Sequence, residues 1–145
     1  MRKRRIFTGV FLIVLAVSLF GCGSGSKKPQ TAKLSLSSNP TTGFSWEAEQ
    51  TDPIFDITSE FVSDETDEIL DGVGGTETFV LTPAEKGETK VTFTYARPWE
   101  GGETGSVLTY EFKVDKNLQI EVISMTGEIP GSADSVPEIP EVVIE

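Results

Sequence analysis

The middle of this chain alternates apolar and polar residues with a period of two, and this pattern restricts its possible folds more than any other feature. Leu34 and Leu36 alternate with polar residues, as do Val91, Phe93 and Tyr95 further along. Similar segments surround Trp46, Ile57, Phe79, Tyr110 and Ile120. Successive side chains of a strand point to opposite faces, so such segments bury one face and leave the other in water. The pattern therefore predicts antiparallel strands.

Turn-forming segments separate these strands at short intervals. Asn39-Pro40, Lys86-Gly87 and Asp115-Lys116-Asn117 are three of them, and residues of these types favour turns. About seven short strands within residues 32–125 match the number and spacing of an immunoglobulin-like fold. The predicted fold class is all-β, an immunoglobulin-like antiparallel β-sandwich of about seven strands.

Composition excludes several classes of function. The chain has 145 residues, no histidine and one cysteine. Without histidine it lacks the usual general base and the commonest zinc ligand, and one cysteine allows neither an internal disulfide nor a CxxC redox site. A formal net charge of −11 would repel nucleic acid. We therefore expect no enzymatic activity, no cofactor and no nucleic-acid partner.

An acidic run between Glu60 and Asp71 is the one candidate for a metal site. The spacing that a calcium loop requires is not met, because Thr66 and Glu68 stand at ligand positions and position 69 is not glycine. The run is better interpreted as a solvated acidic loop, and we expect no metal.

The N-terminus has the form of an export signal. Four basic residues at positions 2–5 precede an apolar run over residues 6–20, which is short for a membrane span. Gly21-Cys22 then resembles a bacterial lipobox, so we predict a lipoprotein signal peptide at 1–21, lipidation of Cys22 and a flexible tether at 22–31. The expected localisation is extracytoplasmic, lipid-anchored to the bacterial cell membrane or cell surface. An uncleaved membrane anchor is the alternative.

The C-terminus has a different composition from the domain. Residues 126–145 contain three prolines, five acids and no base. This composition predicts a disordered acidic tail. A short strand over Glu141–Ile144 is the alternative.

Three loops carry most of the functional information. They are Asn39-Pro40-Thr41-Thr42-Gly43-Phe44, Gly72-Val73-Gly74-Gly75 and Arg97-Pro98-Trp99. In the first, proline fixes one φ angle and glycine permits a positive one, which makes the loop stiff. In the second, missing side chains would let a partner approach closely. The third carries Arg and Trp, which are enriched in binding hot spots. Singly, each loop could also be a tight turn, a hinge or a structural Arg–Trp stack.

Taken together and in this order, the motifs NPTTGF, GxGG and RPW resemble the chagasin-like family of cysteine-peptidase inhibitors. The resemblance runs from about Leu34 to Val114 and includes Trp46 and Tyr95. It implies an immunoglobulin-like sandwich that presents three loops at one end and reversibly blocks papain-like cysteine peptidases.

The resemblance also implies a role for each loop. Thr41, Thr42 and Gly43 would enter the catalytic cleft of the peptidase. The glycines at 72, 74 and 75 would lie along one side of that cleft. Arg97 and Trp99 would grip the other side, with Trp99 as the aromatic anchor. The expected partner is a papain-like cysteine peptidase, bound by a monomer.

The chain departs from the family pattern at both ends of the domain. A strand that usually precedes the one leading into NPTTG is missing, and the chain continues after Val114 into residues 118–125. Our hypothesis is that residues 118–125 form a strand that occupies the vacant edge.

Two other functions compete with inhibition. One is a surface-exposed immunoglobulin-like adhesion or assembly module, which would have no reason to carry the three motifs together. The other is a glycoside hydrolase with paired carboxylates, but the acids lie mainly in loops and in the C-terminal segment, and a small sandwich has little room for a sugar cleft.

Overall fold

A computed structural model of the chain describes residues 27–64 and 72–145. Within these residues it contains eight strands, one 3-10 turn at Pro40–Thr42 and no α-helix. The strands are β1 (Ala32–Ser38), β2 (Ser45–Gln50), β3 (Phe55–Ser63), β4 (Gly75–Pro83), β5 (Gly87–Ala96), β6 (Thr104–Val114), β7 (Ile120–Glu128) and β8 (Val143–Ile144). Among the described residues, no helix has the length and apolar character that crossing a membrane would require.

The strands form two four-stranded antiparallel sheets, in the orders β3-β4-β1-β8 and β2-β5-β6-β7. Aromatic rings join the two sheets across the core. The ring centroids of Phe79 and Phe93 lie 4.9 Å apart, and those of Phe55 and Phe112 lie 5.4 Å apart, both edge to face. The predicted immunoglobulin-like antiparallel sandwich is confirmed, and the described residues form eight strands rather than about seven.

The predicted alternation is visible in burial. Along β6, Leu108, Tyr110, Phe112 and Val114 are buried, whereas the residues between them are not. Each fully buried side chain of this size contributes about 1.5–3 kcal/mol relative to an exposed one. The inward faces of the two sheets therefore supply the main stabilisation of the fold.

Successive strands run in opposite directions, and this places the connections at two ends of the sandwich. Those from β1 to β2, β3 to β4, β5 to β6 and β7 to β8 begin and end at one end, which we call the loop end. Those from β2 to β3, β4 to β5 and β6 to β7 lie at the other, the tether end, because residues 27–31 enter β1 there.

The C-terminal segment differs from the expected disordered tail over residues 126–145. β7 continues to Glu128, and the chain then returns along the side of the sandwich to β8, which pairs with Ala32 and Lys33 of β1. Ile139, Val142 and Ile144 pack against the core, and the Tyr110 hydroxyl donates a hydrogen bond to the Pro140 carbonyl oxygen at 2.8 Å. We call residues 137–145 the C-terminal strap. Their spaced apolar side chains gain more from burial than the neighbouring acids lose, because the acids remain exposed.

β7 pairs with β6 along its whole length and forms one edge of its sheet. Residues 120–125 are therefore part of the sandwich. That this strand takes the place of the family's first strand stays a prediction.

The described part of the predicted tether is attached to the domain. The backbone N–H of Gln30 donates to the Leu118 carbonyl oxygen at 3.2 Å, and its side-chain oxygen accepts from the N–H of Ile120 at 2.8 Å. The predicted signal peptide, Cys22 and most of the acidic run (residues 65–71) lie outside the described residues.

Candidate functional site

The NPTTGF loop is a single turn that its own polar groups hold closed. Pro40–Thr42 form the 3-10 turn, and Gly43 ends it with a φ of 81°, which only glycine adopts without strain. The Thr41 hydroxyl donates to Asn39 Oδ1 and the Thr42 hydroxyl donates to the Asn39 carbonyl oxygen, both at 2.6 Å. Both threonines are exposed, so the loop presents a rigid tip.

Asn39 links this tip to the GVGG loop. Its Nδ2 donates a hydrogen bond to the Gly72 carbonyl oxygen at 3.1 Å. A Cβ on Gly74 would lie 3.2 Å from the Ser38 carbonyl oxygen, and one on Gly75 would collide with the Val62 carbonyl oxygen and the Phe61 ring. Packing within the domain therefore requires Gly75, whereas the exposed Gly72 is available to a partner.

The RPW loop joins the opposite side of the NPTTGF loop. The Arg97 guanidinium lies 4.7 Å from the Phe44 ring centroid and 5.7 Å from that of Trp99. Its Nε donates to the Thr42 carbonyl oxygen at 3.4 Å, and its Nη1 pairs with Glu103 Oε2 at 2.8 Å. Arg97 therefore binds its own loop to the central one through several contacts.

Trp99 lies over Gly43 and remains largely accessible. A Cβ on Gly43 would lie 2.6 Å from Trp99 Cη2, so only glycine lets the indole ring come this close. The side chain is nevertheless 55% exposed. The result is an accessible aromatic ring beside the exposed turn.

An aromatic layer supports the loops from below. The Tyr95 hydroxyl accepts a hydrogen bond from the backbone N–H of Asn39 at 3.0 Å. Its ring stacks on Phe44 at 5.1 Å and lies 4.8 Å from Trp46, whose Nε1 donates to the Ser37 carbonyl oxygen at 2.9 Å. The alternation along the strands predicts that Tyr95 and Trp46 face inward, and the resemblance includes both in the family pattern. No pattern in the sequence indicated Glu103 as the partner of Arg97.

The structure brings all thirteen predicted loop residues to the loop end. Exposed are Pro40, Thr41, Thr42, Gly72, Pro98 and Trp99; partly buried are Asn39, Gly43, Phe44, Val73, Gly74 and Arg97; Gly75 is buried. Apart from threonine hydroxyls already bonded within their own loop, these residues carry no nucleophile, and none is a general base. In residues 27–64 and 72–145, no three His, Cys, Asp or Glu side chains are grouped to hold a metal ion. The arrangement is suited to binding a partner.

A sandwich that presents a rigid, accessible surface of three loops has the architecture of a binding protein. The profile of the family described as "Chagasin family peptidase inhibitor I42" matches residues 26–114. The chain therefore belongs to the chagasin family, whose members are peptidase inhibitors. The match includes all three loops and ends at the last residue of β6.

Relatives matched by sequence agree with this assignment. Amoebiasin-1 of Entamoeba histolytica is 30% identical over 87 residues, which cover 60% of this chain and 84% of amoebiasin-1. Chagasin of Trypanosoma cruzi is 36% identical over 78 residues, which cover 50% of this chain and 69% of chagasin. A solved structure, that of the cysteine protease inhibitor EhICP2 from Entamoeba histolytica, aligns with a TM-score of 0.47 and 28% identity over 55% of this chain and 73% of EhICP2.

Proposed function

We propose that this protein is a reversible inhibitor of papain-like cysteine peptidases and that it blocks their active-site cleft with its three loops. The observation that carries the proposal is the joining of the loops into one surface. Asn39 bonds the NPTTGF loop to the GVGG loop, and Arg97 bonds it to the RPW loop. Thr41 and Thr42 would enter the cleft, and Trp99 would grip its wall.

The rigidity of this surface favours tight binding. A loop whose turn is already closed by hydrogen bonds loses little conformational entropy when it docks, so more of the contact energy appears as affinity. The donors of these bonds are the backbone amides of Thr42 and Gly43 and the hydroxyls of Thr41 and Thr42.

The same rigidity favours inhibition over cleavage. A peptidase cuts a carbonyl group that is held in line with its attacking thiolate. The Thr42 carbonyl oxygen already accepts a bond from Arg97, and Gly43 turns the backbone through a positive φ. A loop held in this way fills the cleft without extending through it as a substrate would.

The test is titration of papain with the protein lacking residues 1–22, followed with a fluorogenic peptide. We expect stoichiometric, reversible loss of activity and an uncut inhibitor. Thr42→Ala should weaken inhibition modestly, whereas Thr42→Arg should weaken it severely because the bulky side chain would clash within the cleft. Equal inhibition by Thr42→Arg would contradict this position for the loop. No inhibition of several papain-like enzymes would favour the adhesion or assembly module instead.

We further propose that the protein acts as a monomer attached to the outside of a bacterial membrane through lipidated Cys22. The chain enters β1 at the tether end, opposite the three loops, so an anchored molecule would keep its loop end accessible to a peptidase. Cys22→Ala should move the protein from the membrane fraction to the soluble fraction without changing its inhibition constant. Retention of Cys22→Ala in the membrane would support the uncleaved anchor.

A further inference from the structure

A fourth connection reaches the loop end, and it lies beyond the part of the chain that the family profile matches. Residues 129–136 join β7 to the C-terminal strap, whereas the family match ends at residue 114. We call residues 129–136 the fourth loop. It begins at the loop end because β7 runs in the same direction as β1, β3 and β5, which lead into the other three loops.

The register of the sheet puts the fourth loop below the RPW loop, on the strand next to β6. Glu128, the last residue of β7, is opposite Val107 of β6. Val107 is three residues from Thr104, where β6 leaves the RPW loop. At about 3.3 Å per residue, the fourth loop therefore starts about 10 Å below the start of β6. The loop also ends near that level, because Pro137 packs against Gly127.

The fourth loop has a defined conformation, like the other three. The Ser132 N–H donates to the Ile129 carbonyl oxygen at 3.0 Å, and Gly131 has a φ of 82°. Proline followed by a glycine of positive φ is the sequence of a type II turn. The loop therefore begins with a closed turn and not with an open chain.

Both ends of the fourth loop are fixed to the domain. β7 holds the first end, and close packing of Gly127 against Pro137 and Ile139 holds the second. The bond from the Tyr110 hydroxyl to the Pro140 carbonyl oxygen secures the strap immediately beyond. A partner that contacts this loop would find it already ordered, which lowers the entropic cost of binding.

Val136 is the most exposed of the large apolar residues in the described chain, at 72%. It stands at the end of the fourth loop, where the strap begins. Exposed apolar side chains next to a binding surface gain free energy when a partner covers them.

We propose that the fourth loop is an additional contact with the target peptidase, which Val136 makes on an apolar surface outside the cleft, on the rim of the wall that Trp99 grips. This contact adjusts which papain-like peptidases are bound tightly, because surfaces outside the cleft differ more between enzymes than the catalytic residues do. The inference rests on the proposed inhibitory function and extends it to selectivity.

The test compares Val136→Asp with Val143→Asp against a panel of papain-like peptidases. Val143 is a matched control because it is also an exposed valine, at 55%, but lies at the tether end. Val136→Asp should raise the inhibition constant about fivefold or more for some enzymes and leave others unchanged. Val143→Asp should change none of them, and both variants should unfold at the temperature of the unaltered protein.

A cross-linking measurement gives a readout that does not depend on affinity. Cys22 is the only cysteine, so the protein lacking residues 1–22 can carry a single thiol at Val136→Cys or Val143→Cys. Each variant is labelled with a benzophenone maleimide. It is then mixed with a peptidase that the unaltered protein inhibits, and the mixture is illuminated. We expect a cross-linked inhibitor–peptidase product from position 136 and none from position 143.

The outcomes separate the two proposals. If the unaltered protein inhibits the panel but Val136→Asp changes no inhibition constant and position 136 gives no cross-link, the fourth loop is not a contact and the proposed function stands. If the unaltered protein inhibits none of the enzymes, both proposals fall.

Discussion

The two ends of the sandwich are closed by different kinds of contact. At the tether end, side chains bond to the backbone of neighbouring strands: Gln50 exchanges two hydrogen bonds with Phe55, and the buried Thr89 accepts from the N–H of Asp52. At the loop end, Asn39 and Arg97 bond one exposed loop to another. The tether end closes the core, whereas the loop end orders a surface.

The β6–β7 turn illustrates the tether end. Asp115 Oδ1 accepts hydrogen bonds from the backbone N–H groups of Asn117 and Gln119 at 2.7 and 2.9 Å. The bond from Gln119 is the main reason that the pKa of this carboxyl is lowered. The turn is closed by this carboxylate and by the bond from the Gln30 N–H to the Leu118 carbonyl oxygen, so these contacts serve the fold. Mutations toward the tether end should therefore lower stability, whereas mutations at the loop end should weaken inhibition.

Phe112→Ala should have the largest effect, and it should act on stability alone. The Phe112 side chain is buried on β6 toward the tether end and meets Phe55 edge to face. Removing a buried aromatic ring costs about 3–5 kcal/mol, since a cavity remains. Urea denaturation should show this loss, and Phe112→Leu should show a smaller one.

A changed inhibition constant in Phe112→Ala would contradict this separation of stability from inhibition. The measurement is made at a temperature where calorimetry shows the variant to be folded, so that loss of active protein is not mistaken for weaker binding. A raised inhibition constant in fully folded Phe112→Ala would mean that core packing and the loop surface are coupled.

Trp99→Ala should have the opposite signature. The indole ring is half exposed and lies over Gly43, outside the buried core. Removing a hot-spot residue of this kind costs about 2 kcal/mol or more of binding free energy, so the inhibition constant for papain should rise about thirtyfold. Thermal unfolding should change little. An unchanged inhibition constant would exclude the RPW loop from the interface.

The loop end was more predictable from sequence than the C-terminal segment. Local residue types encode the turn at Pro40–Thr42 and the positive φ at Gly43, so the stiffness of this loop could be inferred directly. The bond between Asn39 and Gly72 joins residues far apart in the chain, and no local pattern indicates it. The resemblance brought these loops together in the prediction; periodicity alone predicted only the strands.

The C-terminal strap shows where composition misleads. Prolines and acids indicated disorder over residues 126–145, but Ile139, Val142 and Ile144 pack on the core. Their burial depends on the space beside β1 and β6, which only the folded domain creates. The prolines are compatible with this path, because the strap pairs with β1 only at Val143 and Ile144. The alternative of a short strand near the C-terminus was the better interpretation.

Tyr110→Phe should have a smaller effect, which links the core to the strap. It removes the hydroxyl that bonds the Pro140 carbonyl oxygen and should cost about 1 kcal/mol, as for a typical buried hydrogen bond. Hydrogen exchange should become faster in residues 137–145 while inhibition of papain is unchanged. Unaltered exchange there would mean that apolar packing alone holds the strap.

The same residue predicts a dependence of stability on pH. Burial raises the pKa of Tyr110 to about 12, from an ordinary value of 10.0. The folded state therefore holds this proton more tightly, so the stabilisation is complete below pH 10 and is lost as the pH rises toward 12. The free energy of unfolding should fall across this interval, and it should fall less in Tyr110→Phe. If the free energy of unfolding fell equally with pH in the two proteins, this dependence could not be assigned to Tyr110.

Glu103→Gln should have the smallest effect, and it tests how the loop end keeps its order. The carboxylate of Glu103 is exposed, and its pair with Arg97 is the kind of surface ion pair that contributes about 0–1 kcal/mol. Arg97 also stacks on Phe44 and bonds the Thr42 carbonyl oxygen, so it should stay in place. We expect less than a threefold change in the inhibition constant, because a threefold change corresponds to less than about 1 kcal/mol.

Arg97→Lys should weaken inhibition more than Glu103→Gln, because an ammonium group cannot reproduce the planar stack of the guanidinium on Phe44. If Glu103→Gln had the larger effect, the ion pair rather than the stacking would order this side of the binding surface.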